Sequence, residues 1–83
     1  MTLTVYTKDN CPFCDRAKTL LGSRGIAYNT INLEQQPDAR EFLVNQGLRS
    51  VPQIFNDTTL LQGGYQGLAA QPEEFWTNLK GKQ

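Results

Sequence analysis

Along this chain the spacing of apolar side chains switches repeatedly between a period of two and helical spacing, and the order of those switches limits the folds available to 83 residues. A period of two sends alternate side chains to opposite faces of a strand, whereas i, i+3, i+4 spacing lines one side of a helix. Leu3 to Thr7 puts Leu3 and Val5 on one face and Tyr6 on the other, a first strand. From Pro12 onward Ala17, Leu20 and Leu21 keep helical spacing; proline suits a first turn, where its missing N–H would have no partner, and Gly25 after Arg24 is a stop. Ala27 to Leu33 alternates Ile31 and Leu33 with polar neighbours, and Pro37 then opens a helix through Ala39, Phe42 and Leu43 that ends at Gly47. Pro52 to Phe55, a turn around Asn56-Asp57, and Thr59 to Leu61 read as an antiparallel hairpin closed by Gly63-Gly64. A short helical piece near Gln66 to Ala70 follows, then a helix from Pro72 through Phe75, Trp76 and Leu79, whose Pro72, Phe75 and Trp76 are expected to close the core.

A strand–helix–strand unit of this length makes a right-handed parallel crossover, and adding a helix, a hairpin and a last helix predicts an α/β fold with a central four-stranded mixed sheet flanked by helices. The length allows one small domain, residues 1–83, with no room for a separate substrate domain. Eight Lys and Arg balance eight Asp and Glu, so the charge points to neither nucleic acid nor an anionic membrane surface. No apolar run reaches spanning length and the first residues lack a basic-then-apolar leader, which predicts a soluble cytoplasmic protein, expected to be a monomer.

Cys11 and Cys14 are the only two cysteines, set in Cys11-Pro12-Phe13-Cys14 where the first strand ends and the first helix begins. A bridge over so short a loop contributes roughly 2 kcal/mol on the loop-entropy formula, a poor staple. Zinc needs three or four ligands, yet the chain has no histidine and no third cysteine, so no metal site is expected. Redox exchange remains. A helix start offers unpaired N–H groups and the positive end of a dipole, which favours a thiolate at Cys11, with Cys14 as resolving partner. Lowering a thiol pKa from about 8.5 to about 5 raises the thiolate fraction roughly thirtyfold at neutral pH, but intrinsic nucleophilicity falls by a similar factor. The gain is in departure: a low-pKa Cys11 leaves readily when a mixed disulfide is resolved. This chemistry requires an accessible Cys11 with Cys14 in reach. Lys8, three residues earlier, adds positive potential or binds a carboxylate on an incoming thiol; its bland alternative is a solvated surface lysine.

Tyr6-Thr7-Lys8, Cys11-Pro12-Phe13-Cys14, Ser50-Val51-Pro52-Gln53-Ile54-Phe55 and Gly63-Gly64-Tyr65 resemble, in order and spacing, the motifs of glutaredoxins, over about Leu3 to Leu68. The resemblance implies a thioredoxin-like fold and a glutathione-linked dithiol–disulfide oxidoreductase that reduces protein disulfides, with ribonucleotide reductase a client. It implies that Lys8 meets the glycine carboxylate of glutathione and that Pro52 is cis and faces the cysteines. Val51 would then pair through its backbone with an extended peptide, as an added strand does. Gly64 would let backbone donors of Tyr65 and Gln66 approach the γ-glutamyl carboxylate. Phe13 occupies a slot usually filled by tyrosine, covering the sulfurs or docking a protein.

The sequence also departs from that pattern. Glutaredoxins commonly place Asp-Asp one residue after the glycine pair, the first carboxylate meeting the glutathione ammonium; here Gln66-Gly67 stands instead. Losing one charge-assisted contact weakens glutathione by about 1.5–3 kcal/mol. Gln46-Gly47-Leu48-Arg49 and Ile31-Asn32-Leu33 followed by Pro37 look more like NrdH-type redoxins, which resemble glutaredoxins but draw electrons from thioredoxin reductase. Arg49 binds a carboxylate or a partner, or is simply solvated. An alternative of another class is a two-chain iron–sulfur site built on Cys11 and two glutathiones, against which stands the proline after the first cysteine.

Overall fold

The computed structural model describes residues 2–80. Its elements are β1 (Leu3–Thr7), α1 (Pro12–Ser23), β2 (Tyr28–Asn32), α2 (Pro37–Asn45), β3 (Gln53–Asn56), β4 (Thr59–Leu61), α3 (Gly64–Ala69) and α4 (Glu73–Lys80). The strands form one four-stranded sheet in the order β2-β1-β3-β4. β1 runs parallel to β2 and antiparallel to β3, and β3 runs antiparallel to β4, so the sheet is mixed as expected.

Register carries the period-two pattern across the sheet. Val5 lies opposite Ile54 and Ile54 opposite Leu61, which puts these side chains on one face. That face packs against Ala17 and Leu21 of α1, Leu68 of α3, and Trp76 and Leu79 of α4, with Leu3 and Ile26 completing the core. Tyr6 and Phe55 belong to the opposite face, their rings 5.5 Å apart, and Phe42 of α2 sits 6.0 Å from Tyr6 and 5.8 Å from Phe55. Helices therefore cover both faces, but unequally: Leu43 is the buried residue of α2, and Phe42 and Val44 stay exposed.

Three expectations about the elements are revised by the structure. β2 covers Tyr28–Asn32 rather than 27–33: its register with β1 ends at the Thr7–Asn32 pair, and Leu33 adds only its N–H to the Thr7 carbonyl at 2.8 Å. α3 begins at Gly64, before the expected Gln66, with Gly63 as N-cap at φ 92. Pro72 does not close the core: it is exposed, precedes α4, and its carbonyl accepts from the Phe75 N–H at 3.0 Å. Trp76 is buried, and Arg24 at the end of α1 lies 4.9 Å over its ring while contacting Glu73 at 2.6 Å, which ties α4 to α1.

Candidate active site

β1 ends at the buried Thr7, and the chain must turn sharply to enter α1. Asn10 makes that turn at φ 56, a left-handed conformation that asparagine tolerates better than most residues. Cys11 is then the N-cap of α1, in extended conformation, with Pro12 in the first turn. Its Sγ accepts the N–H of Cys14 at 3.2 Å, and its carbonyl accepts the N–H of Asp15 at 3.1 Å. A sulfur in the N-cap position thus takes one of the four N–H groups that a helix start leaves without partners. An N–H aimed at this sulfur is an interaction that strengthens with negative charge on it.

Cys11 and Cys14 are joined as a disulfide, with Cα atoms 5.2 Å apart. Cys14 is fully buried, whereas Cys11 keeps 7% exposure. The sequence reading anticipated an accessible sulfur. In the folded chain it is mostly buried and lines a cleft.

That cleft has two lobes that share Leu48, Ser50 and Val51. The wider, about 700 Å³, includes Cys11, Lys8, Asn10, Glu34, Arg40 and Arg49. The narrower, about 350 Å³, includes Phe13, Val51, Pro52, Gly64, Tyr65 and Gln66. Every site residue named from the sequence except Cys14, which lies beneath, therefore lines one lobe or the other, and Val51 lines both. The Val51-Pro52 peptide bond is cis. Gln53 fixes the segment before it by donating from Nε2 to the Ser50 carbonyl (3.0 Å) and to Ser50 Oγ (3.2 Å). A Cβ on Gly64, which has φ 57, would come within 3.0 Å of the Pro52 carbonyl oxygen, so the glycine permits both the turn and the close approach. Phe13 is 47% exposed, with its ring 6.1 Å from Tyr65 and the Arg16 guanidinium 5.2 Å above it.

Arg40 is a lining residue that sequence reasoning missed. On its helix it reads as an ordinary solvated cation, and no spacing signal separates it from one. Asn10 was equally silent, although asparagine directly before a helix-starting cysteine hints at a left-handed turn. Among the described residues no group of three or more His, Cys, Asp or Glu could hold a metal ion, and no helix is long and apolar enough to cross a membrane.

Residues 3–61 match the glutaredoxin family model. The chain is 38% identical to Glutaredoxin 3 of Escherichia coli K12 over 60 residues, which covers 71% of this chain and 72% of that one. It is also 38% identical to the glutaredoxin-like protein NrdH of Lactococcus lactis subsp. cremoris over 61 residues, covering 74% and 85%. The solved structure of NrdH-redoxin from Escherichia coli superposes with a TM-score of 0.74 at 28% identity, covering 87% of this chain and 97% of that one. The sheet and its flanking helices are thus the thioredoxin-like fold. With a cysteine pair at the start of α1, equal identity to a glutaredoxin and an NrdH protein, and a family match over most of its length, the chain belongs to the glutaredoxin family of thiol–disulfide oxidoreductases.

Proposed function

We propose that this chain reduces protein disulfides by dithiol exchange, with Cys11 attacking, Cys14 resolving, and glutathione regenerating the dithiol. The observation that carries the division of labour is the contrast between the two sulfurs. Cys11 opens onto the cleft and accepts an N–H, while Cys14 is sealed beneath it. The Cys11 thiolate attacks one client sulfur, forming a mixed disulfide and releasing the other client sulfur as a thiolate. Cys14 gives up its proton, which neutralises the client thiolate released first, and attacks Cys11 Sγ, releasing the second client thiolate. The client has gained two electrons, and Cys11–Cys14 is a disulfide. One glutathione thiolate then attacks Cys11 Sγ and frees Cys14. A second attacks the glutathione sulfur, freeing Cys11 as glutathione disulfide departs.

Lys8 and Arg40 in the wider lobe suit the glycine carboxylate of glutathione, and backbone donors of Tyr65 and Gln66 beyond Gly64 suit the γ-glutamyl carboxylate. Val51 offers its backbone to the client as an added strand. Ribonucleotide reductase is the client that family resemblance favours. A monomer, residues 1–83 as one domain, working in the cytoplasm fits a reductase of disulfides, because thiols are kept reduced there.

A second reading has a specific observation behind it. The narrower lobe has no carboxylate to meet the glutathione ammonium: Gln66 is neutral, and a Cβ on Gly67 would run into the Gln62 carbonyl, which bars an acidic residue there without a backbone shift. An NrdH-type redoxin reduced by thioredoxin reductase has no need of that contact. Oxidised protein supplied with glutathione, glutathione reductase and NADPH, or with thioredoxin reductase and NADPH, separates the two. NADPH loss in the first mixture is expected. Loss in the second alone refutes the glutathione-linked assignment and establishes the flavoenzyme reading.

A further inference from the structure

The two lobes beside Cys11 differ in charge far more than a chain of zero net charge requires. Three of its eight cations, Lys8, Arg40 and Arg49, line the wider lobe against a single carboxylate, Glu34, while the narrower lobe has no charged side chain among its lining residues. The cations arrive from three separate stretches: Lys8 just after β1, Arg40 in α2, and Arg49 in the segment before β3. None is neutralised, since the ion pairs among the described residues are Lys18–Asp15 and Arg24–Glu73. All three are exposed. The narrower lobe instead presents Phe13, Leu60 and Tyr65.

One glycine carboxylate does not use up three unpaired cations. The surplus has a direct consequence for a partner that enters the cleft as an extended segment passing Val51: its two flanks meet opposite environments. We infer that the preferred clients are protein segments with two or more acidic side chains on one flank of the reacting disulfide and neutral or apolar side chains on the other. This rests on the protein-disulfide reading above and adds the class of segment that the cleft selects. The redox step is unchanged: Cys11 Sγ forms a bond to one client sulfur, the client S–S bond breaks, Cys14 completes the transfer of two electrons, and the oxidised product is the Cys11–Cys14 disulfide. The charge acts before that step, by steering and orienting the segment, so its effect falls with salt.

The test uses synthetic peptides with one internal disulfide, identical except for two consecutive residues that are Asp, Asn or Lys, placed on the N-terminal flank in one set and on the C-terminal flank in another. Protein reduced with dithiothreitol and freed of it is mixed with each peptide, quenched with acid, and the rate of peptide reduction read by mass spectrometry. On one flank only, the Asp peptide should react about tenfold faster than its Asn counterpart at low ionic strength, and the Lys peptide more slowly than either. The Asp-to-Asn ratio should shrink toward one at high salt and in the double variant Arg40→Gln, Arg49→Gln, whose positions are exposed. Ratios within twofold on both flanks overturn the inference, as does an equal preference on both flanks or a preference that survives in the double variant. Failure to reduce any of the peptides overturns the protein-disulfide reading itself, and the inference with it.

Discussion

Gly67→Ala tests how the narrower lobe is built. Gly67 lies in α3 and donates its N–H to the Gly63 carbonyl at 3.0 Å. A Cβ there would run into the Gln62 carbonyl oxygen and lie 2.8 Å from its carbonyl carbon, inside the 3.0 Å that real Cβ atoms keep from other heavy atoms. The obstruction is backbone, so no side chain can swing aside. The two chain segments are close here from both sides: a Cβ on Gly63, at φ 92, would itself lie 2.9 Å from the Gly67 Cα. Overpacking costs about 1–3 kcal/mol, and a rigid backbone obstacle places this case toward the upper end. At about 4–8 °C per kcal/mol for a chain of this size, Tm should fall by about 10–20 °C. Gly22→Ala is the matched control: it lies within α1 and its Cβ would have nothing within 4 Å. There alanine should stabilise by about 0.5–1 kcal/mol through helix propensity, raising Tm by a few degrees. Thermal unfolding of the oxidised variants by circular dichroism reads both. A Gly67→Ala melt within about 2 °C of the parent, or shifts of the same sign in the two variants, would refute the close-approach argument.

Cys11→Ser should abolish exchange with every substrate, whereas Cys14→Ser should keep glutathione mixed-disulfide turnover and lose reduction of protein disulfides; equal losses in a glutathione-disulfide assay would contradict the assigned roles. Gln66→Asp supplies the missing carboxylate at an exposed position and should tighten glutathione binding by about 1.5 kcal/mol, roughly tenfold, with no change in the dithiothreitol-driven rate. Calorimetric titration showing unchanged or weaker binding would remove the ammonium argument. Trp76→Ala empties a site that is 3% exposed and should cost about 3–5 kcal/mol, measured by urea unfolding. In reduced protein, the rate of Cys11 alkylation by iodoacetamide should rise with pH, because the thiolate reacts, with a midpoint below that of an ordinary thiol; a midpoint at or above about 8.5 would mean that the Cys14 N–H does not favour the thiolate.

Much of the fold was legible because its signals are local. Pro12 and Gly25 bracket α1, Pro37 and Gly47 bracket α2, and both glycines adopt positive φ, 70 and 78, as a helix-ending glycine does. The limit of β2 is set by β1, whose last paired residue is Thr7, and the start of α3 by the left-handed Gly63 at its N-cap; apolar spacing marks neither. Pro72 was read as a core element from its place beside Phe75 and Trp76. Its exposure follows from the helix starting one residue later and turning only Trp76 and Leu79 fully inward.

From the amino-acid order alone came the succession of strands and helices, the seat of Cys11 at the first turn of a helix, and the pairing of its chemistry with Cys14. Each depends on neighbours within about one helical turn, where dihedral preference and periodicity act. The depth of Cys11, its entry through a cleft, and the gathering of Lys8, Arg40 and Arg49 on one side were decided only by the tertiary structure. The parallel crossover from β1 to β2 and the antiparallel return of β3 bring segments some thirty to forty residues apart beside one sulfur. Charge acts through space, so chain position says little about a cation until the fold has set its distance from Cys11.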